Sequence, residues 1–135
     1  MVLDIDAEIH ARIAAMEAEP QASTDPAAVR REILFINDTV HTTGVAGHDP
    51  PRPLAQIEVG GISSPHSTVT RGIIRFRRRD DLCPPYFKEA DRTIRLWVDI
   101  AHIDHVAMQL SHRKRWLWIG IWPDGFTYSD LHSRP

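Results

Sequence analysis

The sequence predicts an α+β domain: two amino-terminal helices, then a mostly antiparallel sheet of four or five strands with one further helix at about 104–113. Three observations lead there. Apolar residues recur at helical spacing at the start of the chain, they alternate with polar residues at 94–100 and 116–122, and like elements come in runs without strict alternation of strand and helix.

Ile5, Ile9, Ile13 and Met16 line one face of a helix over 4–18. Asp4, Asp6 and Glu8 fall in its first turn, where the macrodipole favours negative charge, and Pro20 ends it. Asp25-Pro26 supplies a cap followed by proline at the first helical position, and Val29, Ile33, Ile36 and Val40 continue at helical intervals. A second helix is the reading, although Ile33-Leu-Phe-Ile also fits a buried strand. Gly44, Gly47, Pro50, Pro51 and Pro53 make 42–53 a long surface loop, and His41, His48 and Asp49 make it a candidate lid. Within one domain over 1–135, the chain thus divides into a helical part (1–41), this loop (42–53) and a sheet part (54–135).

Gly60-Gly61 and Ser63-Ser64-Pro65 separate strand-like segments at 54–59 and 67–78. The second has a basic side (Arg71, Arg75, Arg77) and an apolar side (Gly72, Ile74, Phe76). After an irregular stretch at 80–91, Ile94, Leu96, Val98 and Ile100 alternate with Arg95, Trp97 and Asp99. Asp104 is the candidate cap of the third helix, whose apolar stripe is Ile103, Val106, Ala107 and Leu110. As a right-handed crossover, that helix would make the strands on either side of it parallel. Residues 116–122 form a strand, Pro123-Asp124-Gly125 a turn, and 126–128 a short final strand.

Composition sets the class. The 135 residues are 42% hydrophobic and 25% charged, with a net charge of −2, which describes one self-sufficient globular domain with no collagen or coiled-coil signature. The single cysteine, Cys83, together with an acidic first turn and the lack of a long apolar run, leads to the expectation of a cytoplasmic protein that is not inserted in a membrane. Charge is uneven. Residues 1–70 carry four arginines against ten acids, a net of −6, and residues 71–135 carry twelve basic side chains against eight acids, a net of +4. Acidic helices lying on a basic sheet would account for that, and so would an anionic partner.

The most informative feature is the second face of the sheet. If Leu96, Val98, Leu117, Ile119 and Ile121 define the core, the opposite face gathers Arg95, Trp97, Trp116, Trp118 and Trp122, with Arg71, Arg75 and Arg77 beside them. Four indoles, each able to remove on the order of 200 Å² from water, need a cover. The chain's own helices, a second subunit or a ligand can supply it. The expectation is association with a protein partner or with a second copy as a homodimer, without catalysis and without a cofactor. The alternative on the same face is single-stranded nucleic acid, with bases stacked on indoles and arginines on phosphates. A further alternative, a small metal-dependent hydrolase or oxygenase, rests on Asp99, His102 and His105, which could hold a divalent transition metal with open positions. No Gly-x-Ser-x-Gly elbow or phosphate-binding glycine pattern occurs, Ser63, Ser64 and His66 lack a third partner, and Cys83 stands before two prolines, away from any helix start.

Overall fold

The computed structural model describes residues 29–47 and 52–135. They form one seven-stranded mixed sheet: β1 (Arg30–Ala46), β2 (Arg52–Ser63), β3 (Arg71–Arg77), β4 (Tyr86–Lys88), β5 (Thr93–Asp99), β6 (Lys114–Ile121) and β7 (Thr127–Arg134). The strand order is β4-β5-β3-β2-β1-β6-β7. Among the described residues the single α-helix, α1, is Ile103–Leu110.

This overturns the expectation of two amino-terminal helices and a sheet of four or five strands. The helix expected over 4–18 lies outside the described residues. The second expected helix is instead the first half of β1. Its i, i+3, i+4 pattern was coincidental, because Glu32, Leu34 and Ile36 alternate with Ile33 and Phe35, and the even-numbered set is buried. The β-branched run Thr39, Val40, Thr42, Thr43 and Val45 then carries the strand onward. The loop expected at 42–53 is paired strand at both ends, from Thr42↔Gln56 to Ala46↔Arg52, and residues 48–51 lie outside the described residues.

Gly60 and Gly61 do not end a strand either. They sit within β2 opposite a bulge that shifts the β1 register between Ile36 and Asp38. A β-carbon on Gly61 would lie 1.8 Å from the Phe35 carbonyl oxygen, so the bulge requires glycine there. Two further corrections concern the second half. The parallel neighbours are β3 and β5, not β5 and β6, because β6 joins the far side of β1, antiparallel to it. Asp104 lies inside the first turn of α1 and does not cap it, whereas Asp99 caps the preceding 3-10 turn by accepting from the Ala101 N–H at 3.0 Å.

One face of the sheet forms the core, with Leu34, Ile57, Val59, Ile74, Phe76, Ile94, Leu117 and Ile119 almost wholly buried and Val106 and Leu110 of α1 packed against them. The sheet curls around this core into a half-barrel. A β-carbon on Gly72 in β3 would lie 2.3 Å from Leu117 Cδ2 in β6, although β2 and β1 stand between them and a flat sheet would separate the two strands by roughly 14 Å. The ends of the curl also approach each other, the Thr127 hydroxyl donating to the Pro85 carbonyl at 2.7 Å.

The connection between β2 and β3 is pinned by a buried acid. Glu32, 2% exposed, accepts from the Thr68 backbone N–H at 3.2 and 3.0 Å and from the Thr68 hydroxyl at 2.7 Å. Arg30 reaches it at 3.4 Å. These bonds hold the wholly buried Val69 in the core, and Ser67 helps by accepting from the Ile33 N–H at 2.9 Å.

Candidate functional site

Strand alternation puts Arg71, Arg75 and Arg77 of β3, Arg95 and Trp97 of β5, and Trp116 and Trp118 of β6 on the outer face of the half-barrel, opposite the buried set. Trp122 joins them just past β6, its ring against Gly120. The tryptophans do not form one platform, however. In the strand order Trp97 is separated from the other three by β3, β2 and β1, four strand spacings or roughly 19 Å along the sheet. The outer face therefore carries two aromatic groups with different neighbours.

The first group is built on β6 and β7. Trp116 stacks on His132 with ring centroids 5.3 Å apart and planes 7° apart, and Trp118 meets Tyr128 edge-on at 5.7 Å. Trp122 and Phe126 make a further edge contact at 5.3 Å. Gly120 leaves the room these indoles occupy, since a β-carbon there would lie 2.8 Å from the Trp122 ring and 3.1 Å from the Trp118 ring. Trp118 is consequently 6% exposed although it faces outward. Its indole N–H donates to His132 Nδ1 at 3.2 Å.

Asp130 Oδ1 lies 2.5 Å from the same imidazole nitrogen, so the Trp118 N–H and the Asp130 carboxyl compete for one edge of the His132 ring. Burial raises the Asp130 carboxyl above its ordinary range, an effect that the His132 charge and the Tyr128, His132 and Trp118 donors only partly offset. The Tyr128 hydroxyl is pushed up as well, first by burial and then by the Asp130 charge.

Two neighbours of this group extend it across the sheet. Phe35 of β1 is the cross-strand partner of both Trp116 in β6 and Ile62 in β2. Phe35 is 49% exposed and Ile62 is 66% exposed. Ile62, Phe35 and Trp116 therefore make a row across three strands, with His132 stacked at its end.

The second group is smaller and basic. Tyr86 stacks on Trp97 with centroids 5.7 Å apart and planes 30° apart. Arg75 is the register partner of Trp97 and Arg77 the partner of Asp99. Arg95 is held by Asp91 at 3.3 Å and Arg71 by Glu58 at 2.9 Å.

Asp99, His102 and His105 line an open groove of about 720 Å³ between β5, α1 and β7, with Leu96, Val98 and Val106 among its apolar walls. Three of its polar groups are committed to the fold. Asp99 caps the 3-10 turn, Gln109 donates to the Leu131 carbonyl at 3.1 Å, and the Ser129 hydroxyl donates to the Trp118 carbonyl at 2.8 Å. Among the described residues no group of three His, Cys, Asp or Glu side chains is placed to hold a metal ion. The three residues of the metal reading thus share a groove without forming a ligand set.

Phe35, Ile62, Tyr86, Tyr128, Asp130 and His132 did not enter the sequence-based site. Phe35 falls in the segment that the helical spacing assigns to the second helix, and the expected final strand covers only 126–128. The alternation of Tyr128, Asp130 and His132 with Ser129 and Leu131 was present, but Leu131 is the only aliphatic residue in it. No protein-family model, curated protein or solved structure matches the chain.

Proposed function

We propose that the protein is a non-catalytic association module whose partner is a second copy of the same chain, joined through the outer face of β2, β1 and β6. The supporting observation is the row Ile62, Phe35 and Trp116, in register across three adjacent strands, with two of its three members about half exposed or more. Large apolar side chains scattered singly need no explanation, but a contiguous row has the form of an interface core. Trp116 is braced from one side by His132, so it meets a partner at little entropic cost.

The flanks favour a second copy as the partner. Lys114 and Arg134 lie beyond the row on the β6 and β7 side. Asp38 and Glu58 stand on the β1 and β2 side, Glu58 bridged to Arg71. A twofold axis along β1 exchanges the two sides and brings Lys114 of one protomer towards Asp38 and Glu58 of the other, a pairing that an isologous contact makes twice.

Phe35→Asp places a charge in the middle of the row. Size-exclusion chromatography with light scattering is expected to give a two-chain mass for the wild type and a one-chain mass for the folded variant. An unchanged mass for the variant would exclude the row as the interface.

A further inference from the structure

We propose that the second outer-face group, centred on Trp97 and Tyr86, binds single-stranded nucleic acid, one base stacking on the aromatic pair while Arg75 and Arg77 contact successive phosphates. The site lies on β3, β4 and β5, apart from the row that carries self-association, and its argument stands independently of that row.

Three features support it. Tyr86 and Trp97 are already stacked on each other, and Tyr86 remains 42% exposed at the outside of the pair, so a further planar ring can continue the stack. Such a stack tolerates any base, because every base has a π face. Arg75 and Arg77 are two residues apart on one strand and so project from the same face, roughly 6.6 Å apart along it. Arg75 lies beside Trp97 in the register.

The third feature is that, among the described residues, nothing pairs with these two arginines as Glu58 pairs with Arg71 and Asp91 with Arg95. Arg75 and Arg77 make no side-chain hydrogen bond or ion pair among the described residues, and the buried Nε of Arg77 has no partner. Asp99, opposite Arg77 in the register, spends its carboxylate on the Ala101 N–H. Two guanidinium groups with no ion-pair partner among the described residues, set beside an aromatic stack, complement a flexible polyanion whose bases are free to splay. A duplex keeps its bases stacked inside and cannot use the aromatic pair.

The test is fluorescence anisotropy of fluorescein-labelled oligouridylate and oligodeoxythymidylate, about 12 nucleotides long to span one site, titrated with the full chain over a series of salt concentrations. Binding of either oligomer is expected. The slope of log K against log salt should be near −1.4, as two phosphate contacts on a single strand give. Trp97→Leu should weaken binding by about 5- to 150-fold, and the double variant Arg75→Gln with Arg77→Gln should abolish the salt dependence.

Lys114→Gln, a basic residue outside the group, should leave binding unchanged. So should Phe35→Asp, which keeps failure of this proposal distinct from failure of the self-association reading. Absence of binding to both oligomers at low salt would overturn the proposal, as would binding that survives Trp97→Leu in a variant whose circular dichroism is unaltered. Equal affinity for a duplex of the same length would overturn it too, because it would mean a site for charge alone.

Discussion

Ile62→Ser gives a graded test of the outer-face interface, because most of this side chain is exposed in the single chain. Full burial of an isoleucine is worth about 2.5 kcal/mol. With 66% of Ile62 exposed, a partner that covers it gains about 1.6 kcal/mol from each protomer. A twofold contact contains the residue twice, so the substitution should weaken dimerisation by about 3.2 kcal/mol, roughly 200-fold in Kd. The already buried third contributes only about 0.8 kcal/mol to the fold, so the variant should remain folded. Sedimentation velocity across a dilution series of wild type and variant measures the ratio of dissociation constants. A folded Ile62→Ser protein whose Kd lies within about threefold of the wild-type value, a difference of less than 1 kcal/mol, would refute the burial of Ile62 in a twofold interface.

Other substitutions test the fold beneath that face. Glu32→Ala removes the acceptor shared by the Thr68 N–H and hydroxyl and should lower stability by about 1–3 kcal/mol in urea denaturation; a loss under 0.5 kcal/mol would mean the acid does not pin the β2 to β3 connection. Gly72→Ala drives a β-carbon into Leu117 and Val59 and should lower stability by about 1–3 kcal/mol. Combining it with Leu117→Val should lose less than the sum of the two single changes, whereas simple additivity would argue against contact across the curl. For Asp130, a carboxyl raised in the folded state means that the folded chain holds the proton more tightly than the unfolded chain. That contribution to stability is complete below the unfolded-state value and is lost as pH rises through the folded-state value. The stability of wild type relative to Asp130→Asn should therefore fall as pH rises above about 4, and a difference that is flat or grows with pH would contradict the assigned direction.

How much of this was legible in the sequence depended on whether local pattern and tertiary role agreed. β5 and β6 were readable because each alternates apolar with polar or aromatic residues over its whole length, which fixes both the strand and its two faces. α1 was readable from its apolar stripe. The first half of β1 was not, because Val29, Ile33, Ile36 and Val40 happen to fall at helical intervals, and the competing alternation begins with a charged residue. Nothing in the sequence marks Glu32 as a core position, since its burial depends on Thr68, 36 residues away. Gly60 and Gly61 carried the local signature of a turn, yet their role is close approach to Phe35 across a bulge. β4 has three residues, too few for any period to register.

The candidate site divided along the same lines. Side chains of Trp97, Trp116 and Trp118 were assigned to the correct face, because strand parity alone decides that. Strand order decides which of them are neighbours, and it is set by long-range pairing that no local window contains. The arginines consequently belong with Trp97 and Tyr86, while the tryptophans of β6 belong with Phe35, Ile62 and His132. His102 and His105 illustrate the same limit: their spacing is compatible with a metal pair, but no third ligand is brought to them among the described residues.

Sedimentation equilibrium of the wild-type chain from roughly 1 to 300 µM, the span over which an interface of modest size assembles, tests self-association most directly. A reversible monomer–dimer equilibrium with no larger species is the predicted result, because a twofold contact between outer faces closes on itself. A single-chain mass across the whole range would contradict self-association through the Ile62, Phe35 and Trp116 row.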